Sequence, residues 1–203
     1  MEYDYAIRKV TAKIIDELYD DGNLDRAALA SLRSAATITS QRAQNVLPLL
    51  MKHLPEQFLS KNGEPTSGEI AVFAAVRFYA IHQQGRDESV YGDSAENKIK
   101  KADGVSLFSA LAKLRADEDV KVALARRIQP LLATNNINSV INSLTHLVEI
   151  LKASNQTSKI DYPLLAQDLY DFQKNYHSAG KVRLSWGEQY FKVANSNKEI
   201  EGE

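Results

Sequence analysis

The stretch "TSGEIAVFAAVRFYAIHQQG", residues 66–85, has the strongest helical signal in the chain. Thr66 and Glu69 have the spacing of a capping box, in which two side chains bond the free N–H groups at a helix start. Apolar residues then occupy all sides of the run, and Gly85 is a helix terminator. We therefore expect a helix buried on most of its circumference. Arg77 within it lies either in a satisfied ion pair of the core or at an edge.

Helical periodicity continues on both sides of this stretch. Upstream, apolar residues recur at three- and four-residue spacing within residues 7–18, and a second helix starts near Asp25. Downstream, "NINSVINSLTHLVEILK" has a clean apolar stripe, and Asp161 is the N-cap of "IDYPLLAQDLYDFQ". No segment has strand alternation between hairpin turns. The chain is therefore predicted to be all-α, with two packed helical bundles.

A polar segment separates these two halves of the chain. Residues 86–103, "RDESVYGDSAENKIKKAD", lack helical periodicity. They are the best candidate for a linker or long loop between an N-terminal bundle, residues 1–85, and a C-terminal bundle, residues 104–203. A length of 203 residues suits one large domain or two small helical ones.

The composition excludes several kinds of chemistry. The chain has no cysteine, which excludes disulfides, thiolate catalysis and Cys-ligated zinc. Its four histidines are far apart, and no phosphate-binding loop, nucleophile elbow or dinucleotide fingerprint is present. Asp161 is explained as a cap, and Asp168 and Asp171 as the solvated face of the same helix. We therefore predict no enzymatic activity, no cofactor and no metal site.

The sequence also has no recognisable targeting or membrane segment. The N-terminal "MEYDYAIRKV" is broken by charges, unlike a signal peptide. No apolar run approaches the ~18–20 residues that a membrane helix needs. A soluble, cytoplasmic protein is the expectation.

Charge is distributed unevenly within a nearly neutral total. The formal net charge is −1, yet residues 26–61 hold five basic and one acidic side chain, and residues 98–133 hold eight basic and four acidic ones. Basic stretches of this kind are typical of a local phosphate-binding face. On charge alone, however, ordinary solvated helix faces are the favoured explanation of these stretches.

The order of the segments resembles one family, the small (CasB) subunit of the type I-E CRISPR Cascade complex. The likeness spans roughly residues 26–191 and rests on "RAALASLR", "VFAAVRFYAIHQQG", "SLFSALAKLR" continuing through "ARRIQPLLAT", and "IDYPLLAQDLYDFQ" with "KVRLSWGEQYF". The resemblance implies a non-catalytic helical subunit whose basic surface steadies the guide RNA–target DNA hybrid and the displaced strand. The implied partners are other Cascade subunits, a second copy of the chain, and the crRNA–target DNA hybrid with the displaced DNA strand, without a membrane.

Eight basic positions match the family pattern and are predicted to bind nucleic acid: Arg26, Arg33, Lys113, Arg115, Arg126, Arg127, Lys181 and Arg183. Neutral residues stand at four places where related sequences often have arginine: Ser34, Ser109, Thr145 and Ser185. These departures predict weaker binding of the DNA strand or a larger share of protein–protein docking. A helical adaptor with little direct nucleic-acid binding therefore stays open as the alternative. An unrelated all-α module is a weaker third hypothesis, because no helix-turn-helix turn is recognisable.

The stretch "KVRLSWGEQYF", residues 181–191, contains the only tryptophan of the chain. On a helix, Trp186 shares one face with Val182 and Tyr190. Trp186 and Tyr190 are therefore predicted to be structural anchors of the C-terminal bundle, with base stacking by Trp186 as the alternative. Lys181 and Arg183 point away from that face, toward possible phosphate contacts.

Overall fold

The computed structural model of the chain describes residues 6–94, 102–154 and 156–192. Within these ranges it contains nine α-helices and one pair of two-residue strands, which confirms the all-α fold. The helices and strands are α1 (Ala6–Tyr19), α2 (Arg26–Ser34), α3 (Leu47–His53), α4 (Ser67–Gln83), β1 (Gly104–Val105), α5 (Leu107–Leu114), α6 (Glu118–Ala133), α7 (Ile137–Ala153), β2 (Lys159–Ile160), α8 (Tyr162–Phe172) and α9 (Tyr176–Lys192).

Helix α4 is the central element, as its composition predicts. Both halves of its capping box are present: Glu69 N donates to Thr66 Oγ1 at 3.1 Å, and Thr66 N donates to Glu69 Oε2 at 2.7 Å. The helix packs against α1, α2, α7 and α8, and most of its side chains are buried. An all-round apolar sequence therefore becomes a helix enclosed by four others.

Helix α8 begins at a buried carboxylate that joins three parts of the chain. Asp161 is completely buried and caps α8 by accepting a hydrogen bond from Leu164 N at 2.7 Å. The same side chain accepts bonds from Arg8 Nη2 of α1 at 3.0 Å and from Ser94 Oγ at 2.8 Å. The predicted N-cap is thus confirmed, and it also fixes α1 and the segment after α4 against α8.

The two short strands hold the described ends of segment 86–103 against the helices. Strands β1 and β2 pair in parallel, and Tyr91 forms a further bridge to Ile160. Gly104 lies so close to the carbonyl of Gly92 that a Cβ there would overlap it. These strands were not predicted, because two residues are too few to show alternation in the sequence. Residues 95–101 of the predicted linker lie outside the described residues.

The buried apolar side chains of the described helices form one continuous cluster. Helix α8 packs against α1, α4 and α9, while α5 packs against α7 and α9. Elements before and after segment 86–103 thus share this core. The division into bundles 1–85 and 104–203 stays a prediction.

Trp186 lies at the centre of the C-terminal part of this core. Its side chain is completely buried, with the ring stacked on Phe108 at 4.9 Å and on Phe172 at 6.2 Å between centroids. Nε1–H donates to Asp168 Oδ2 at 2.7 Å, so Asp168 supports the core rather than a purely solvated face. Tyr190, one turn further along α9, is also buried. How much the two residues stabilise the fold stays a prediction.

Candidate nucleic-acid interface

Helix α7 lies between α4 and α6, and a shallow surface depression lies on each side of it. One depression, of about 410 Å³, is lined from α2, α4 and α7. The second, of about 640 Å³, is lined from α6 and α7. Glu149 and Ala153 of α7 line both depressions, so the two adjoin along this helix. We call the pair the cationic trough and define it by Arg33, Arg77, Arg126, Arg127, Glu149 and Lys152.

The trough is strongly positive although the chain is not. Five cationic side chains and a single carboxylate line it, a formal charge of +4 with His146 neutral. Among the described residues, none of its four arginines forms an ion pair with a carboxylate. Clustered guanidinium groups without carboxylate partners are a physical basis for binding phosphate.

Two of these arginines are partly withdrawn from water. Arg33 Nη1 donates to the carbonyl oxygen of Ala80 at 3.4 Å, and Arg77 Nη1 donates to Thr145 Oγ1 at 2.9 Å. Burial lowers the pKa of both guanidinium groups, while Glu149 opposes this shift of the pKa of Arg77. A partly desolvated cation is stabilised by any anion that approaches it, which favours a phosphate at this end of the trough.

The opposite side of the trough is more exposed. Arg126 and Arg127 follow each other on α6, and both are open to solvent and line the same depression. These two arginines need little desolvation to meet a backbone phosphate, and their long side chains can reach one. Lys152 of α7 lies on the side of Arg33 and Arg77 and is half-buried; its Nζ donates to Gln84 Oε1 at 2.7 Å, beside the end of α4.

Three of the eight predicted nucleic-acid-binding residues meet in the trough: Arg33, Arg126 and Arg127. Another three, Arg26, Lys113 and Lys181, are exposed on α2, α5 and α9, away from the residues that line it. The structure therefore brings together part of the predicted set from two separate helices, α2 and α6.

The remaining two predicted residues are half-buried and bond inside the molecule. Arg115 Nη1 donates to the carbonyl oxygen of Tyr190 at 3.1 Å, and its guanidinium lies 4.9 Å from the centroid of the Tyr190 ring. Arg183 Nη1 donates to the carbonyl oxygen of Thr134 at 2.8 Å and also to Asn135 Oδ1. Both arginines thus connect α9 to the ends of other helices.

Two cations of the trough, Arg77 and Lys152, are absent from the predicted set. Arg77 is half-buried at an edge of α4, which resolves the two alternatives left open for it in favour of the edge. Its isolation within an apolar run was the available clue in the sequence. Lys152 ends α7 and is indistinguishable in sequence from a cation that complements a helix C-terminus.

Within residues 6–94, 102–154 and 156–192, no group of three His, Asp or Glu side chains is arranged to hold a metal ion. None of the helices in these ranges combines the length and the apolar character that a bilayer crossing demands.

Fold and surface together define an all-helical protein with a cationic trough. The family model of CRISPR-associated protein Cse2 (CRISPR_cse2) matches residues 28–191. The chain therefore belongs to the Cse2 family, and it is a CasB-type small subunit of the type I-E CRISPR Cascade complex, which confirms the resemblance seen in the sequence.

One solved structure supports the fold. The crystal structure of CasB from Thermobifida fusca is similar to this chain with a TM-score of 0.60 at 20% identity. The similarity covers 91% of this chain and 94% of that one. At this identity the likeness establishes the fold alone. No curated protein sequence matches the chain.

Proposed function

We propose that this Cascade subunit has no catalytic role and stabilises the guide RNA–target DNA hybrid and the displaced DNA strand by sequence-independent contacts to the nucleic-acid backbone. Opening a duplex for an RNA guide is a nearly balanced exchange of base pairs. A modest gain in free energy from protein contacts to phosphate is therefore enough to keep the duplex open. Such contacts depend on salt and are indifferent to base sequence.

The observation that carries this proposal is the charge of the cationic trough. Arg33, Arg77, Arg126, Arg127 and Lys152 come from four different helices, and Glu149 is the only carboxylate among them. A cluster of like charges destabilises the isolated protein, since each cation repels the others. A polyanionic ligand removes that repulsion, and a nucleic-acid backbone supplies phosphates along its whole length.

The other predicted cations extend the proposed surface. Arg26, Lys113 and Lys181 are exposed and, within the part of the chain that the structure describes, form no ion pair. Arg115 and Arg183 each use Nη1 for a carbonyl oxygen of the protein. Because a guanidinium group has five N–H donors, these bonds leave capacity for a phosphate.

Neutralising Arg126 and Arg127 tests the proposal in the assembled complex. We expect weaker retention of target DNA and a flatter dependence of retention on salt, because two phosphate contacts are removed. The same loss of charge on α1, at the exposed Lys9 and Lys13, is expected to change neither quantity.

A second candidate function is docking of other Cascade subunits, with nucleic-acid contact incidental. The observation that favours it is an exposed apolar stripe on α9. Tyr176, Leu184 and Phe191 are spaced eight and seven residues apart, so they lie on one side of the helix, and all three are exposed. Exposed apolar side chains aligned on one helix face are typical of a protein–protein contact. The partner would be another Cascade subunit or a second copy of this chain.

A further inference from the structure

Beside the cationic trough lies a pocket of about 490 Å³. This volume falls within the range of roughly 300–1,000 Å³ that is usual for small-ligand sites. The pocket is bounded by residues 36–39 after α2, by residues 64–65 before α4, and by the facing sides of α4 and α7. Arg77 lines both the pocket and the trough, so the two openings adjoin at this side chain.

The inside of the pocket is apolar and its rim is polar. Its walls are the side chains Ile38, Ile70, Phe73, Ala74 and Ile141. The rim carries two amides and two hydroxyls, from Asn138, Asn142, Thr37 and Thr39. Amides and hydroxyls both donate and accept hydrogen bonds, so the rim can pair with ligand edges of differing pattern. A ligand with apolar faces and a polar edge fits this arrangement.

The walls are held by their own hydrogen bonds before any ligand arrives. Ser40 N and Ser40 Oγ both donate to the carbonyl oxygen of Thr37, at 3.1 and 2.8 Å. The hydroxyl oxygens of Thr37 and Thr39 are 3.1 Å apart. On the other side, Glu64 N donates to Asn62 Oδ1 at 3.1 Å. The pocket is thus largely preformed, as small-ligand sites usually are.

We propose that this pocket takes one unstacked nucleobase of the displaced DNA strand, whose backbone follows the cationic trough. The inference rests on the proposed function, because the trough supplies the path of the phosphates. A nucleobase has apolar faces and a donor–acceptor edge, and burying a base against protein side chains is tolerant of its identity. Arg77 stands at the junction, where the phosphate of the same nucleotide would meet its guanidinium. The Glu64 carboxylate on the far rim disfavours a free anion inside the pocket.

A scan with abasic sites tests this inference. Cascade assembled with this subunit is loaded with target duplexes, each lacking one base of the displaced strand, and the dissociation rate is measured. We expect about a tenfold faster dissociation at one position, or at two if two copies of the subunit are present, because the buried base is lost there. Asn142→Trp fills the pocket from its rim and is expected to abolish that dependence on position. Thr39→Trp, from the opposite rim, gives the same result.

Ser139→Trp is the matched control, because Ser139 is exposed on α7 and does not line the pocket. It is expected to leave the position dependence intact. A scan without any sensitive position overturns the base pocket, whereas the proposed function still stands if neutralised trough arginines weaken retention. If both tryptophan variants at the rim expel the subunit from the complex while folding normally, the pocket holds a side chain of a neighbouring subunit and the inference is wrong.

Discussion

Arg77 of α4 donates a hydrogen bond from Nη1 to Oγ1 of Thr145 on α7, at 2.9 Å. Thr145 is one of the four neutral residues at positions where the family resemblance implies arginine. Its hydroxyl in turn donates to the carbonyl oxygen of Ile141, which fixes its orientation. A cation of α4 thus reaches the position on α7 where the resemblance implies arginine. The trough keeps a positive charge there in spite of the neutral residue.

Trp186→Ala is expected to reduce the free energy of unfolding by about 3–5 kcal/mol. The change removes a fully buried ring that stacks on Phe108 and Phe172, and it leaves Asp168 without the indole donor. Urea unfolding measures the effect. Leu184→Ala, at an exposed position of the same helix, should stay within about 0.5 kcal/mol of the original protein. Equal losses in the two variants would refute the structural role of Trp186.

Arg8→Met is expected to cost about 3–5 kcal/mol of stability, because it leaves a buried carboxylate without its cation. Arg8 is buried, and Nη2 lies 3.0 Å from Asp161 Oδ2. The neighbouring Lys9 is exposed, so Lys9→Met serves as the control in the same unfolding assay. A cost for Arg8→Met no larger than that of Lys9→Met would mean that the buried ion pair does not support the fold.

Stability is expected to fall in mild acid because of His82. Burial, together with the charges of Arg86 and Lys152, lowers the pKa of this histidine from 6.5 to about 4. At pH values between these two pKa values, His82 therefore binds a proton in the unfolded chain but not in the folded one. The full contribution of neutral His82 is present above pH 6.5 and is lost as the pH falls toward 4.

His82→Gln isolates this effect, since the carboxylates titrate alike in both proteins. In the original protein the Tyr162 hydroxyl lies 2.9 Å from His82 Nδ1, and glutamine can still form a hydrogen bond with it. Between pH 7.5 and pH 5, the original protein should lose about 2 kcal/mol more than the variant, by urea unfolding at each pH. Parallel pH profiles for the two proteins would exclude a lowered pKa of His82.

The apolar stripe on α9 leads to a prediction about assembly. Leu184 is 65% exposed, so Leu184→Glu should fold normally yet reduce incorporation of the subunit into Cascade several-fold if the stripe docks a protein. Native mass spectrometry of the purified complex gives the occupancy. Ser185→Glu adds the same charge at an adjacent exposed position and is the control. Full occupancy with Leu184→Glu would remove this face from the candidate docking surfaces.

The helices were predictable because their signals are local. Thr66 and Glu69 predict the start of α4, and Asp161 predicts the start of α8; each signal lies within three residues of sequence. The trough was not predictable as a unit. It joins Arg33, Arg77 and Lys152 with two arginines of α6, and helix periodicity does not report which helices become neighbours.

The same limit applies to single side chains. Periodicity places Trp186 on the buried face of α9, and Arg183, three residues earlier, is half-buried. It carries no information that the carbonyl oxygen of Thr134, 49 residues earlier, accepts a hydrogen bond from Arg183. Contacts between distant segments depend on tertiary packing, which a single sequence does not display.

The most direct test of a phosphate-binding trough is the salt dependence of target-DNA retention by the assembled complex. Three complexes are compared over a series of salt concentrations: the original, Arg126→Gln with Arg127→Gln, and Lys9→Gln with Lys13→Gln. Retention is measured as the observed binding constant for target DNA. The slope of its logarithm against log salt should become shallower by roughly 1.5 in the trough variant, about 0.7–0.9 for each lost phosphate contact. The α1 variant should keep the original slope. An unchanged slope in the trough variant, or an equal change in both variants, would contradict the trough as the nucleic-acid interface.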